Sequence, residues 1–121
     1  MRKTYWEVTL CLREVTVPLT ALLDTGNFLV EPISGKPVSV LEEAYLLPYF
    51  SRKELAQQFR LIPYRSVGRS HGVMQGVIFD RMDLQKGRKK KSIKEPMIGI
   101  VRGTISANGA YQMLLHSDLL S

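Results

Sequence analysis

Apolar and polar side chains alternate with a period of two from residue 5 to residue 12, and this pattern predicts a β-strand. Only Trp6 departs from the alternation. Arg13-Glu14 is typical of a turn, and the alternation resumes over residues 15–19, so the two segments together predict a β-hairpin. Pro18 lacks the N–H that a paired strand uses, and it predicts an edge or a break in the second arm.

A continuous apolar run, Ala21-Leu22-Leu23, follows and ends in Asp24-Thr25-Gly26, a tripeptide that occurs once in the chain. An apolar run without alternation is typical of a strand that enters a core. Gly26 and Asn27 both tolerate backbone conformations that allow a sharp turn. The pattern therefore predicts a buried strand that presents Asp24 at its end.

Short elements are predicted between residues 31 and 60. The Pro and Gly content of residues 31–37 predicts a turn, and residues 38–41 have the pattern of a short strand. Residues 42–47 allow a helical turn, which Pro48 would stop. Ser51 with Glu54 three residues later has the spacing of a capping box, which predicts a helix to about residue 60.

Further strands are predicted in the second half of the chain. Glycines at positions 68, 72 and 76 punctuate the segment between two extended arms, which predicts a long, flexible hairpin over residues 65–80. A Lys-rich loop follows, and residues 96–101 predict a buried strand. Asn108-Gly109 is a strong turn signal before a last strand or short helix at residues 111–115. The whole pattern predicts a mainly β chain with one or two short helices.

The length of 121 residues and the hydrophobic content of 45% predict one domain over residues 1–121, with a core of its own. No apolar run approaches the ~20 residues that span a bilayer, and the first residues lack the pattern of a signal peptide. Cys11 is the single cysteine, which agrees with a reducing compartment. We therefore expect a soluble, cytoplasmic chain. No metal-ligand spacing or cofactor motif is present, so we expect neither a metal nor a cofactor.

The net charge of +6 raises the question of an acidic partner. Six basic residues cluster in one segment: Lys86, Arg88, Lys89, Lys90, Lys91 and Lys94. A cluster without interleaved aromatic residues is typical of a solvated hairpin tip or loop, so we expect no nucleic-acid partner. It leaves open one alternative function, a non-enzymatic β-barrel binding module that uses loop 86–94 on an acidic partner.

Asp24 has the setting of a catalytic carboxylate, because it follows an apolar strand and precedes a small hydroxyl residue and Gly. Aspartic peptidases present half of their active site in this way. Two such carboxylates cannot both ionise when close, so one stays protonated and polarises the scissile carbonyl while the other accepts a proton from water. Because this chain has one copy of the motif, the second carboxylate must come from another chain, which predicts a homodimer. Thr25 would bond across the pair, and Gly26 and Asn27 would support the loop.

The order of a catalytic loop, a Gly-punctuated hairpin and an apolar-apolar-Gly strand resembles that of a retropepsin-like protomer. The resemblance implies a closed β-barrel and a symmetric homodimer with one Asp24 from each chain. It also implies that Ile98 and Gly99 pack beside the catalytic loop and that the hairpin forms a flap over bound peptide. The expected flap and substrate-binding residues are Gly68, Arg69, Ser70, His71, Gly72 and Val73.

A longer segment makes the resemblance narrower. Residues 24–38, DTGNFLVEPISGKPV, resemble the signature of the sporulation sigma-E factor processing peptidases of endospore-forming bacteria. Residues 108–116 are similar to the C-terminal segment of the same family. Glu31 and Ser117 stand where Asp and Pro are more often expected, and neither difference touches the carboxylate pair.

That resemblance implies a membrane-embedded N-terminal domain followed by a soluble peptidase domain. We therefore expect the chain to be an excised C-terminal domain, with the full-length protein acting at the cytoplasmic face of the mother-cell membrane during sporulation. The implied substrate is the inactive sigma-E precursor, from which the peptidase removes an N-terminal pro-segment.

Overall fold

A computed structural model describes residues 3–65 and 71–121 of the chain. Nine strands, one α-helix and two short 3-10 turns follow one another in these residues. The strands are β1 (Tyr5–Leu12), β2 (Val15–Asp24), β3 (Val38–Glu42), β4 (Arg60–Arg65), β5 (His71–Ile78), β6 (Arg81–Lys86), β7 (Lys89–Lys94), β8 (Met97–Val101) and β9 (Met113–His116). The helix α1 (Arg52–Gln58) precedes β4, and the 3-10 turns lie at Glu43–Tyr45 and Ser117–Leu120. The prediction of a mainly β chain is confirmed.

The N-terminal hairpin forms as the alternation predicts. β1 and β2 pair in antiparallel register from Tyr5 opposite Leu22 to Leu12 opposite Val15. Pro18 lies inside β2 and does not break it. The next strand, β9, pairs with β2 only from residue 21 onwards, so the segment around Pro18 has a strand neighbour on one side alone. The missing N–H therefore removes no hydrogen bond to β9.

The sheet is mixed and open, so the expectation of a closed β-barrel is wrong. The strand order is β4-β5-β8-β3-β9-β2-β1-β6-β7. β2 with β9 and β3 with β8 are the parallel pairs. Within residues 3–65 and 71–121, β4 and β7 are the two ends of this order and do not pair with each other. β7 is an exposed strand rich in lysine, and such charges keep a sheet edge from pairing further.

The segment 86–94, expected as a hairpin tip or loop, forms the turn and the whole second arm of the β6–β7 hairpin. The chain reverses at Gly87, which has a φ of 60° that favours glycine. The lysines of this hairpin are exposed, as expected for a solvated cluster. A prediction from composition alone missed the strand because pairing with β6, which itself pairs with β1, fixes it in place.

The helix α1 begins with the predicted capping box. The Glu54 backbone N–H donates to Ser51 Oγ, and the Ser51 N–H donates to Glu54 Oε1, each at 3.0 Å. Leu55 is buried in the core beside Phe50. The helix ends at Gln58, and β4 begins at Arg60. In the ranges 3–65 and 71–121, no helix has the length and apolar character needed to cross a bilayer.

Candidate active site

Asp24 is the last residue of β2, a strand that lies between β1 and β9 in the sheet. The residues before it carry the core face of the strand, with Val17 and Ala21 fully buried. Asp24 itself is half-buried, and Thr25 and Gly26 are exposed. The strand therefore holds a carboxylate at the boundary between core and solvent, as the sequence predicts.

The turn after Asp24 orients its carboxylate. The Gly26 N–H donates to Asp24 Oδ1 at 3.0 Å, and the Asn27 N–H donates to the Asp24 carbonyl at 3.1 Å. A side chain at position 26 would place its Cβ 3.4 Å from the same carboxylate oxygen. A Cβ at this distance would be in ordinary van der Waals contact, so residue 26 acts on the acid through its backbone N–H.

Asn27 fastens this turn to the rest of the sheet. Its side chain is 7% exposed and makes two hydrogen bonds, one from Nδ2 to the Val38 carbonyl at 3.0 Å and one from the Leu29 N–H to Oδ1 at 2.9 Å. The Val38 N–H in turn donates to the Leu29 carbonyl at 3.0 Å. The loop of residues 24–29, which we call the Asp24 loop, is therefore tied to the start of β3.

One end of the hairpin that the sequence predicts as a flap lies next to the Asp24 loop. Val30 and Arg65 exchange both backbone hydrogen bonds, at 3.0 and 3.1 Å. Across the hairpin, β5 begins with His71, Gly72 and Val73, which pair with the last three residues of β4. Gly68, Arg69 and Ser70 lie outside the described residues. The end of β4 nearest the hairpin turn is thus adjacent to the segment that follows the Asp24 loop.

A cavity of about 260 Å³ opens next to the carboxylate. It is lined by Asp24, Gly26, Asn27, Phe28, Leu29, Val40 and Leu114. Phe28 is 53% exposed at the edge of this cavity. A larger groove of about 500 Å³ lies on β1, β6 and β7 and does not include Asp24. The smaller cavity is the one that places an apolar surface beside the candidate catalytic group.

Ile98 and Gly99, expected beside the catalytic loop, lie on β8 between β5 and β3. In the strand order, β3 and β9 separate them from β2. Gly99 leaves space for Met74, whose Cε would lie 2.5 Å from a Cβ at this position. The strand that pairs with β2 at Asp24 itself is β9.

His116 is a residue of this site that the sequence interpretation missed. It stands opposite Asp24 in the parallel pairing of β9 with β2, and it is 2% exposed. Its ring Nδ1 accepts the Asp118 N–H at 3.1 Å, and its own N–H donates to Ser39 Oγ at 3.0 Å. Nε2 is buried and has no hydrogen-bond partner within residues 3–65 and 71–121. The sequence signals were its place at the end of the apolar tail and within residues 108–116, the segment that is similar to the C-terminal segment of the family.

Burial lowers the pKa of His116 below its ordinary value. The carboxylates of Asp118 and Asp24 and the backbone carbonyl of Leu29 act in the opposite direction, and burial outweighs them. Because the effect of burial exceeds that of the two carboxylates, the neutral form of the imidazole is favoured. The ring beside Asp24 is therefore held neutral near pH 7.

Glu31 completes the turn that follows the Asp24 loop. Its carboxylate accepts the N–H groups of Ile33 and Ser34, both at 2.8 Å. These backbone donors, Ile33 first, lower the pKa of Glu31. The role is structural, since the side chain is buried and turned toward its own loop.

In the part of the chain that the structure describes, no three acidic, His or Cys side chains form a metal-binding group.

Comparison with known proteins identifies the family to which the chain belongs. Residues 1–119 match the sequence profile of a peptidase family, Peptidase_U4. The chain belongs to this family, which is described as sporulation factor SpoIIGA. The resemblance to sporulation sigma-E processing peptidases is thereby confirmed.

Two curated relatives carry the name sporulation sigma-E factor-processing peptidase. The protein from Priestia megaterium is 26% identical over 133 residues, which cover 94% of this chain and 43% of the relative. The protein from Bacillus subtilis is 26% identical over 127 residues, which cover 88% of this chain and 41% of the relative. The chain therefore spans about two-fifths of the length of these relatives. No solved structure matches it significantly.

Proposed function

We propose that two copies of this chain form an aspartic endopeptidase in which Asp24 of each copy contributes one carboxylate. In this pair one carboxyl keeps its proton and polarises the scissile carbonyl, and the other takes a proton from the attacking water. The observation that carries the proposal is the placement of Asp24, half-buried at the end of a core strand and oriented by the Gly26 N–H.

The surroundings of Asp24 favour a second carboxylate as its partner. Ion pairs within residues 3–65 and 71–121 join Arg81 to Asp83 and Arg102 to Glu43, and none involves Asp24. A carboxylate with no cationic neighbour remains free to share a proton with a like group. Such a pair titrates as a unit, which provides one acid and one base at the same pH.

The exposed tip of the Asp24 loop supports a symmetric arrangement. Thr25 and Gly26 face solvent, while Asn27 behind them is buried and fixed to β3. A two-fold axis through this tip would bring the same loop of each copy together, as an isologous contact requires. The Thr25 hydroxyl would then bond to the backbone of the partner loop. The proposed assembly is therefore a symmetric, retropepsin-like homodimer.

The proposed substrate is the precursor of sporulation sigma-E factor, as the names of the relatives indicate. The peptide would bind as an extended strand between the β4–β5 hairpin and the carboxylate pair. The cavity beside Asp24 would take an apolar side chain, because Phe28, Leu29 and Leu114 line it. A membrane-embedded N-terminal domain, with action at the cytoplasmic face of the membrane, is part of the same proposal for the full-length protein.

Membership of a peptidase family favours this function over the binding module that the basic segment had left open. The two functions separate experimentally. Replacing Lys89, Lys90 and Lys91 with Gln removes charge from an exposed edge strand that lies far from Asp24 in the strand order. We expect this triple variant to cleave a short peptide substrate as the unaltered protein does.

The direct test is Asp24→Asn, which keeps the shape of the side chain and removes its acid–base chemistry. We expect cleavage of purified sigma-E precursor to fall by at least about 10²-fold, since the exchange removes the general acid–base function of the pair. The matched control is Glu14→Gln in the exposed turn between β1 and β2, which should cleave normally. Circular dichroism and gel filtration confirm that both variants fold.

Cleavage by Asp24→Asn at the rate of the control would overturn the proposal. Asp118→Asn adds a second discrimination, because Asp118 is the other carboxylate that acts on His116. A loss of cleavage in Asp118→Asn as complete as in Asp24→Asn would place the acid pair within one chain and contradict the shared site.

A further inference from the structure

Next to the candidate site, the described part of the chain contains a buried polar atom that has no hydrogen-bond partner. His116 Nε2 is buried and makes no hydrogen bond, although the residue is 2% exposed. Buried polar groups are nearly always hydrogen-bonded, so an exception of this kind calls for a functional reason. Among the described residues, Trp6 Nε1 on β1 is also buried without a partner, and Trp6 stands opposite Ala21.

The hydrogen bond at the other ring nitrogen fixes the tautomer of His116. Nδ1 accepts the Asp118 N–H at 3.1 Å, so it carries no proton. The proton of a neutral ring must then be on Nε2, which makes the unpartnered atom a donor. The ring is therefore built to offer one N–H from a fixed position.

The position of His116 in the sheet indicates which group its Nε2–H can reach. His116 is the in-register neighbour of Asp24, and such neighbours on paired strands project to the same face. The charged groups that act on the ring are Asp24 from β2 and Asp118 from the turn after β9. β3 contributes Ser39, which is neutral, and the Asp24 loop contributes the Leu29 carbonyl. The acceptor on the Asp24 loop is thus the Leu29 carbonyl.

We propose that His116 is a positioning residue for Asp24, whose Nε2–H donates to the Leu29 carbonyl and holds the Asp24 loop when the two copies or the substrate close the site. This inference rests on the proposed function. His116 does not touch the reacting atoms in this scheme. It fixes the far end of the loop while Asn27 fixes the middle, so the carboxylate keeps the position that a pair requires.

Protonation of the ring would release the loop. A proton added at Nδ1 would face the Asp118 N–H, and the bond that orients the ring would be lost. Burial lowers the pKa of His116 below its ordinary value of 6.5. His116 therefore stays neutral and functional above its lowered pKa, and activity falls as the pH drops through it. One proton of the acidic limb of kcat/KM belongs to His116.

Two amide variants separate positioning from simple packing. The amide of His116→Gln reaches the place of Nε2 and retains a donor there, whereas the amide of His116→Asn reaches the place of Nδ1 and retains only the acceptor for Asp118. We expect His116→Gln to stay within about threefold of the unaltered kcat, and His116→Asn to lose about 10- to 100-fold in kcat with little change in KM. His116→Gln should also lose one protonation from the acidic limb of its pH profile.

Equal kcat for the two variants, or an unchanged acidic limb in His116→Gln, would overturn the inference. A measurement on the unaltered chain keeps it testable if a variant fails to fold. The chain has two histidines, and His71→Gln assigns their ¹⁵N resonances. We expect the Nε2–H tautomer for His116, and the Nδ1–H tautomer would contradict the proposal. Loss of activity in Asp24→Asn together with equal His116 variants would refute the positioning role alone, whereas an active Asp24→Asn would refute the proposed function.

Discussion

At the scale of single residues, the candidate site depends on side chains that bond to backbone. Gly26 brings its N–H to the carboxylate of Asp24, and Asn27 bonds to two backbone groups that flank the Asp24 loop. These contacts are local in sequence or reach only to the next strand. They explain why a short motif in this region is informative about chemistry.

Asn27→Ala tests how strongly the loop depends on that side chain. The exchange leaves the Val38 carbonyl and the Leu29 N–H without their partners, and each buried orphan costs about 1–3 kcal/mol. We expect a loss of roughly 2 kcal/mol or more in the free energy of unfolding, measured by urea denaturation. We also expect a clear fall in kcat, since the loop holds Asp24. A variant as stable and as active as the unaltered chain would show that the loop is held by other contacts.

The residues that could be predicted from sequence are those whose role is set by near neighbours. Asp24 stood out because an apolar run precedes it and Thr25-Gly26 follows it. His116 could not be found in the same way, because its importance comes from a pairing across 92 positions of the chain. Nothing near residue 116 indicates that its strand would lie beside Asp24.

At the scale of elements, local chemistry predicts starts and stops better than it predicts neighbours. The turn at Gly109, with φ of 71°, and the capping box of α1 follow from a few adjacent residues. The strand β7 was missed because its lysines have low strand preference, and only pairing with β6 makes it a strand. The expected position of β8 beside the catalytic loop rested on order along the chain, which does not fix order in the sheet.

Gly76 offers a test of the close packing that positions the β4–β5 hairpin. A Cβ at this position would meet the Ile98 carbonyl at 2.8 Å and would also contact Ile62 Cδ1. Since a backbone carbonyl cannot move aside easily, we expect Gly76→Ala to lower the free energy of unfolding by about 1–3 kcal/mol. Gly103→Ala is the control, because nothing lies within 4 Å of its Cβ position. Chemical denaturation that gives the same stability for both variants would contradict this view of the hairpin.

At the scale of the whole molecule, the sheet is an open one whose two outer strands differ in character. β4 pairs with Val30, the residue after the Asp24 loop, through the exchange between Val30 and Arg65, while β7 carries the exposed lysines. A closed barrel could not be excluded from the sequence, since it shares the same alternating strands and differs only in whether the end strands pair. The open arrangement leaves the Asp24 loop at the surface, where a second copy could meet it.

Mixing unaltered chains with Asp24→Asn chains tests the shared site most directly. Purified copies are combined in equal amounts at constant total concentration, allowed to exchange, and assayed on sigma-E precursor. If each active site requires Asp24 from both copies, only dimers of two unaltered chains cleave, and the activity falls to about a quarter of that of unaltered protein alone. An activity of about half would mean that each chain acts with its own carboxylate, and it would contradict the paired Asp24 mechanism.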